Sequence, residues 1–443
     1  MAAVRDELSG GSRRTERLRG QARIFYGWWV VLAAFLNLFF SVGVIYYGFP
    51  VFYPAFVSSL GFARAEISQG FLIGAFLVGI PFGMVAGVVI DRVGARWVIL
   101  SGVALVGLPL VLMGHMTRLW QYDLLCIAET LGYTLTGPIP NQVLVARWFK
   151  GRRGQAMGYA YLGLGLGGVV APPAADFLIR TFGWRSALEA SGAVIMSVLF
   201  PVGFWVTKSS PEEIGLLPDG LYEPSQKEEA SEGAGRSTSL KEAIGSPNFW
   251  LILAGTVFVL GAINVVIQHF VLYLEDEHYS STSAARFLSL LLVSSLGGRV
   301  LAGHLADRFL KKNTMALFYL LIGAGMPLLF FAGHPAVLGA FAVVFGFAMG
   351  ADYMLIPLVL AESFGVSSLG VLLSVVVAGF SISQWVGSWL AGKAFEASHS
   401  YELVWRLTTV ACMAGAASIF AVRPNRSLCP SPAITDSGVI GGR

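Results

Sequence analysis

One motif occurs twice in this chain, first as Gly87-Val88-Val89-Ile90-Asp91-Arg92-Val93-Gly94-Ala95-Arg96 and again as Gly303-His304-Leu305-Ala306-Asp307-Arg308. The two leading glycines and the two aspartates are each 216 positions apart, about half of the 443 residues. Each copy stands at the end of an apolar stretch. A motif repeated at this distance predicts two similar halves with a functional site between them.

The composition predicts a chain that lies in a membrane. Hydrophobic residues make up 55% of the sequence and charged residues 13%, whereas a soluble domain has about 25% charged residues. Apolar segments long enough to span a bilayer recur twelve times, and in lipid only a helix satisfies the backbone of such a segment. We therefore predict an all-α membrane protein with twelve transmembrane helices in two six-helix, pseudo-symmetric halves. The predicted spans are 26–55, 67–90, 96–116, 121–146, 154–180, 185–207, 248–274, 283–306, 313–333, 336–361, 368–394 and 401–422.

One long polar stretch divides the two halves. We predict a tail at 1–25, a six-helix bundle at 26–207, a linker at 208–247, a second bundle at 248–422 and a tail at 423–443. Lys and Arg concentrate in the tails, the linker and alternate loops, which places these segments in the cytoplasm. We expect a multi-pass protein of the inner (plasma) membrane with both termini cytoplasmic.

Other classes of function find little support in the sequence. Cys126, Cys412 and Cys429 lack the spacing of metal ligands or of a disulfide framework. The run Gly163-x-Gly165-x-Gly167-Gly168 lies inside an apolar span with no strand before it, so it is not a nucleotide-binding loop. No nucleophile–base pattern stands out. We expect no enzyme activity, no cofactor, no metal and no nucleic-acid partner.

The repeated motif resembles the cytoplasmic signature of the major facilitator superfamily, which lies between helices 2 and 3. This resemblance implies a conformational latch: the glycine lets helices approach closely, and the charged residues pair with neighbouring helix ends in one state only. The latch residues that it implies are Gly87, Asp91, Arg92, Gly94, Arg96, Gly303, Asp307 and Arg308.

Three further stretches are similar to the branch of this superfamily that contains monocarboxylate transporters and oxalate/formate exchangers. They are Gly27-Trp28-Trp29-Val30-Val31, then Trp148-Phe149-x-x-Arg152-Arg153-Gly154-x-Ala156-x-Gly158, and the glycine run followed by Pro172-Pro173. In this branch an arginine on helix 8 binds the substrate carboxylate, and Arg299 occupies that place.

Arg299 is also unusual by itself, because a charge inside an apolar span costs about 3 to more than 10 kcal/mol. A guanidinium stays protonated and binds a carboxylate bidentately. Counting residues along the helices puts Arg299 about 12 Å and Asp352 about 15 Å from the cytoplasmic boundary. Substrate binding by Arg299 is the favoured hypothesis; a structural Arg299–Asp352 pair is the alternative.

Asp352 is the predicted proton carrier. A substrate carboxylate that pairs with Arg299 would compete with Asp352 for the guanidinium, and Asp352 could then bind a proton. A permanently ionised Asp352 is the alternative. The chain departs from animal monocarboxylate carriers at Ser295, where they have an aspartate, and at Tyr46, where they have a lysine. Helix 11 offers only Lys393, near its end. One central cation favours a monoanion.

Other polar residues are weaker candidates. Tyr46, Tyr133 and Asn141 could bind substrate, although the last two could equally hold helices together. Tyr353 could cap the site or simply pack. Glu129 is a candidate second proton site.

On helix 7, Asn264 and Gln268 share a face and lie beside His269. These three could line an outer gate. An imidazole can bind and release a proton near neutral pH; the alternative for His269 is a hydrogen-bonded packing histidine.

These observations predict a secondary transporter that moves a small organic monocarboxylate, such as lactate or pyruvate, together with a proton. We expect it to act as a monomer in the lipid bilayer by rocking its two halves. The alternatives are an organic-anion exchanger and a membrane sensor that transports nothing.

Overall fold

The computed structural model describes residues 25–62, 66–67, 70, 73–220, 240–366 and 368–423. Within these ranges the regular structure is helical, and nine helical stretches are long and apolar enough to cross a membrane. One of them, Arg153–Val206, holds two predicted spans that meet at Gly183. The helices at the predicted spans 67–90 and 121–146 fall outside the nine, because the first is only partly described and the second is broken. The predicted all-α fold is confirmed.

Twelve helices of the described ranges, those at the predicted membrane spans, are numbered here in chain order; the short helix Leu240–Gly245 precedes α7 and is not numbered. Their bounds are α1 Gly27–Leu60, α2 Ala75–Gly79 with Ile80–Val93, α3 Ala95–Met113, α4 Leu119–Thr136 with Pro138–Trp148, α5 Arg153–Phe182, α6 Trp184–Pro201 with Val202–Val206, α7 Pro247–Asp276, α8 Ser281–Arg308, α9 Lys311–Gly325, α10 Pro335–Met349 with Asp352–Phe364, α11 Leu369–Ser398 and α12 Glu402–Ala421.

α1, α4 and α10 are irregular near their middle, where hydropathy predicts continuous spans. α1 widens into a π-helical segment at Ser41–Gly48. α4 breaks at Gly137, whose backbone is extended, and restarts with Pro138, which has no N–H to donate. α10 breaks at Gly350 and Ala351. Such irregularities are frequent at functional sites, and these three lie around the site described below.

The halves, α1–α6 and α7–α12, meet where α5 packs on α8 and α2 packs on α11. Both crossings depend on glycine. A methyl group on Gly303 would lie 2.5 Å from the carbonyl oxygen of Gly154, and one on Gly87 would lie 2.2 Å from that of Gly370. Gly154 and Gly370 are themselves 216 positions apart. The repeat therefore builds the same helix crossing twice.

Each repeated aspartate binds the first turn of a helix in the opposite half. Asp307 accepts hydrogen bonds from the backbone N–H groups of Gly154, at 2.6 Å, and Gln155, at 2.8 Å. Asp91 accepts one from the N–H of Val371. Helix N-termini favour anions, so these bonds hold the halves together at the end of the bundle that carries the motif. We call this end the motif end; it is closed.

The arginines of the motif behave differently from the aspartates. Arg96 donates to the carbonyl oxygen of Phe204, at the end of α6 in its own half, while Arg92 and Arg308 are exposed. Asp91 also forms a salt bridge of 3.1 Å with Arg147 of its own half. Of the implied latch residues, Gly87, Gly303 and the two aspartates thus make the described contacts across the halves.

The start of the predicted linker is attached to the first half. Trp148 donates its indole N–H to the carbonyl oxygen of Lys208 at 2.8 Å. Asp219 accepts hydrogen bonds from the backbone N–H groups of Lys150, at 2.9 Å, and Gly151, at 2.6 Å. Residues of the linker therefore hold the loop between α4 and α5 in place. Residues 221–239 of the linker lie outside the described ranges.

The glycine crossing leads to a first prediction. Gly303→Ala adds a methyl group that meets the backbone of α5, so the closed motif end should become less populated. Distances between spin labels placed on the two halves at the motif end should lengthen in the variant. Gly339→Ala is the control, because a methyl group there has no neighbour within 4 Å. Unchanged distances in Gly303→Ala would contradict the role given to this crossing.

Candidate substrate-binding site

Arg299 lies on α8 at the interface between the halves, with only 6% of its surface exposed. Its Nη1 donates to the Ser295 hydroxyl at 2.6 Å, one helical turn earlier, and that hydroxyl donates to the carbonyl oxygen of Leu292. Its Nε has no hydrogen-bond partner among the described residues. The guanidinium is therefore buried beside a neutral acceptor and keeps donor capacity for an anion.

Two glycines allow neighbouring helices to approach α8 closely at Arg299. A methyl group on Gly165 of α5 would lie 2.9 Å from Arg299 Nη1. At the α10 break, one on Gly350 would lie 2.1 Å from the carbonyl oxygen of Ser295 and 3.0 Å from the backbone nitrogen of Arg299. The glycine run of α5, which by itself indicates only close packing, thus accommodates Arg299 from the opposite half.

Asp352 begins the second part of α10 and is 4% exposed. Its Oδ1 accepts the backbone N–H of Tyr353 at 2.5 Å. Asp352 and Arg299 lie within electrostatic range of each other, but no ion pair of 4 Å or less joins them in the described part of the chain. The direct pair considered as the alternative is not formed in this state; Ser295 is the hydrogen-bonded partner of Arg299.

Five tyrosines surround these two charges and form what we call the tyrosine cluster. Tyr47 and Tyr161 lie within electrostatic range of Arg299, and their neighbours extend the set across both halves. Tyr46 is 56% exposed and packs against Tyr47, and it lies within electrostatic range of Tyr353 of the other half. The members are Tyr46, Tyr47, Tyr133, Tyr161 and Tyr353.

Gln142 is a site residue that the sequence analysis misses. Its amide N–H donates to the Tyr161 hydroxyl and, at 3.0 Å, to the carbonyl oxygen of Tyr353, so it joins α4, α5 and α10. The neighbouring Asn141 was predicted instead. Asn141 donates to the carbonyl oxygens of Thr136 and Gly137, at 2.7 and 2.8 Å, and so stabilises the break in its own helix.

The α7 candidates lie apart from Arg299. Asn264 donates to the backbone oxygen of Gln384 and to the Ser388 hydroxyl, both at 2.9 Å. His269 contacts the Tyr401 hydroxyl and the carbonyl oxygen of Ser388, and Gln268 is exposed. These contacts tie α7 to α11 and favour the packing interpretation of His269. Gln384 links Asn264 to the tyrosine cluster. Its backbone oxygen accepts from Asn264, and its side-chain amide donates to the Tyr353 hydroxyl at 3.0 Å.

Glu129 forms a separate feature on α4. It is fully buried, and neither carboxyl oxygen has a hydrogen-bond partner in the described part of the chain. Tyr53 and Cys126 lie within its electrostatic range. A buried carboxyl without a partner is far cheaper neutral than charged, which keeps Glu129 among the candidates for binding a proton.

Two bundles that share a repeat and enclose a charged central site define a membrane transporter. The chain belongs to the Major Facilitator Superfamily, whose family profile matches residues 34–351. This membership confirms the predicted family and the expectation that the protein is a transporter and not an enzyme.

Named relatives extend over most of the chain. An MFS-type transporter of Gibberella moniliformis (strain M3125 / FGSC 7600) is 27% identical over 405 residues, which is 90% of each chain. Monocarboxylate transporter 13 of Rattus norvegicus is 25% identical over 381 residues, 85% of this chain and 84% of its own. The proton:xylose symporter XylE has the same fold, with a TM-score of 0.69 at 16% identity over 91% of this chain and 97% of its own.

The hydroxyl beside Arg299 leads to a second prediction. Ser295→Ala leaves a buried guanidinium N–H without its acceptor, which should lower the free energy of unfolding by about 1–3 kcal/mol. Chemical denaturation in detergent measures this change. The adjacent Ser294→Ala is the control, because the Ser294 hydroxyl donates to the Leu290 carbonyl on a more exposed face. Equal effects of the two substitutions would refute the role of Ser295.

Proposed function

We propose that this protein is a secondary transporter of a small organic monocarboxylate, such as lactate or pyruvate, that works by alternating access. One observation supports this most: Arg299 is buried between the halves with a neutral hydrogen-bond partner and an Nε that lacks one among the described residues. A substrate carboxylate supplies the acceptors and the negative charge that this guanidinium lacks. The relative named monocarboxylate transporter 13 is consistent with that substrate class.

The charge of the site favours a monoanion. Arg299 is the buried cation of α8, while Lys393 of α11 is exposed and paired with Glu396 at 2.7 Å. A dianion held by Arg299 alone would keep one carboxylate desolvated without a cation, which is unfavourable. Tyr46, Tyr133 and Tyr353 would contact the rest of the substrate.

Proton coupling is proposed to involve Asp352. The substrate carboxylate and Asp352 both interact with Arg299, so an incoming anion adds a negative charge near Asp352 and favours its protonation. A proton and an anion would then cross together. Glu129 is the second candidate, and its distance from Arg299 in the fold would make its proton binding independent of the substrate contact.

We further propose that the motif end faces the cytoplasm in the inner (plasma) membrane, with both tails and the linker on the same side. The basic residues near the motif support this orientation. The closed motif end would then be the outward-facing state of a protein that acts as a monomer. Opening of the Asp91 and Asp307 contacts would release the substrate inward.

Removal of the guanidinium tests the binding site. Arg299→Gln should weaken binding of a monocarboxylate about 100-fold, because two charge-assisted hydrogen bonds are lost. Calorimetric titration of the purified protein with lactate and pyruvate measures it. Arg286→Gln, on the exposed start of the same helix, is the control and should bind normally. Retained affinity in Arg299→Gln would place the site elsewhere.

Proteoliposome uptake tests the coupling. An inward proton gradient should drive accumulation of labelled monocarboxylate in the wild type. Asp352→Asn cannot exchange a proton, so it should lose accumulation and keep counterflow, whereas the exposed Asp276→Asn should keep both. Uptake that needs an anion on the opposite side and ignores the proton gradient would establish the organic-anion exchanger instead.

A further inference from the structure

We infer that the carboxylate bound at Arg299 belongs to an aryl-substituted acid of the phenylacetate type, with its ring held by the tyrosine cluster. This inference rests on the proposed function and narrows its substrate class. It follows from which groups around Arg299 remain available to a substrate.

The polar groups nearest to Arg299 are mostly occupied. The Ser295 hydroxyl is bonded to Arg299 and Leu292, and the Gln142 amide N–H groups are bonded to Tyr161 and to the Tyr353 carbonyl. A short hydroxy acid or a sugar acid needs several free donors and acceptors for its hydroxyl groups, since a buried hydroxyl without a partner is costly. The Ser295 hydroxyl and the Gln142 N–H groups are already bonded, and Gln142 Oε1 is a buried acceptor without a partner among the described residues.

Aromatic surface, in contrast, is plentiful. Tyr46 has more than half of its surface exposed, and it packs edge-on against Tyr47 with ring centroids 5.1 Å apart. Tyr353 of the opposite half packs edge-on against Phe380 at 5.4 Å, and Gln384 holds its hydroxyl. Both rings are thereby oriented by neighbours, one in each half.

A flat aryl group suits this arrangement. Aromatic pairs in offset or edge-to-face geometry are favourable beyond the apolar area that they bury. A three-carbon acid bound to Arg299 would cover less of these two rings than an aryl group, which would contact Tyr46 and Tyr353, and so both halves, at once. The tyrosine cluster would therefore bind the aryl group of the substrate, and Arg299 would bind its carboxylate.

The experiment compares three ligands on the purified full-length protein in nanodiscs: phenylacetate, lactate and the uncharged phenylacetamide. Calorimetry should show phenylacetate binding at least about tenfold more tightly than lactate, because the phenyl ring would be buried against aromatic side chains. Phenylacetamide should bind weakly because it lacks the charge that Arg299 recognises.

Variants locate the aryl subsite. Tyr46→Leu should lower the preference for phenylacetate over lactate about fivefold, whereas Tyr46→Phe should keep that preference. Tyr159→Leu is the control: Tyr159 packs on Trp28 in a groove on α1 and α5, apart from the cluster.

The outcomes separate the two proposals. Lactate binding as tightly as phenylacetate, or an equal loss of both ligands in Tyr46→Leu, would overturn the aryl subsite and leave the monocarboxylate transporter standing. Binding of neither acid by the folded wild type would overturn the proposed function and this inference together.

Discussion

The burial of one guanidinium constrains much of this structure. Arg299 sits where two helix bundles meet, and its hydrogen-bonded partner is a hydroxyl on its own helix. A charge in such surroundings is costly unless it is paired and hydrogen-bonded. Close packing must therefore leave room for the side chain, which Gly165 provides, and the site must admit something that completes the pairing. On the proposed function this is the substrate anion.

The contacts that close the motif end are suited to opening and closing. A carboxylate on the N–H groups of a helix start, as with Asp307 on Gly154 and Gln155, can exchange its hydrogen bonds for water, so the net free energy of each bond is modest. α5 carries both this contact and Gly165. Eleven residues of helix, about 16 Å at 1.5 Å per residue, thus join the closed end to the site.

Sequence reasoning predicted the helical fold and the repeat because both depend on hydropathy and spacing along the chain. It could not place the breaks in α4 and α10, where tertiary packing overrides an apolar pattern; Pro138 after Gly137 was the available local signal. The sequence names Asn141 as a candidate but not Gln142, because the hydrogen bonds of Gln142 to Tyr161 and Tyr353 join residues that are far apart in the chain. The four-residue spacing of Ser295 and Arg299 is enough to predict a hydrogen bond between them. The proximity of tyrosines from four helices could be found only in the folded structure.

The repeat also shows what the two halves do not share. Moving 216 positions back from Gly303 and Asp307 reaches Gly87 and Asp91, but the same step from Arg299 reaches Gly83. The glycines and aspartates of the motif thus occur in both halves, whereas the buried arginine occurs in the second half only. On the proposed function the second half alone would hold the charge of the anion. The anion would stay bound to that half as it tilts, and the first half would move past it.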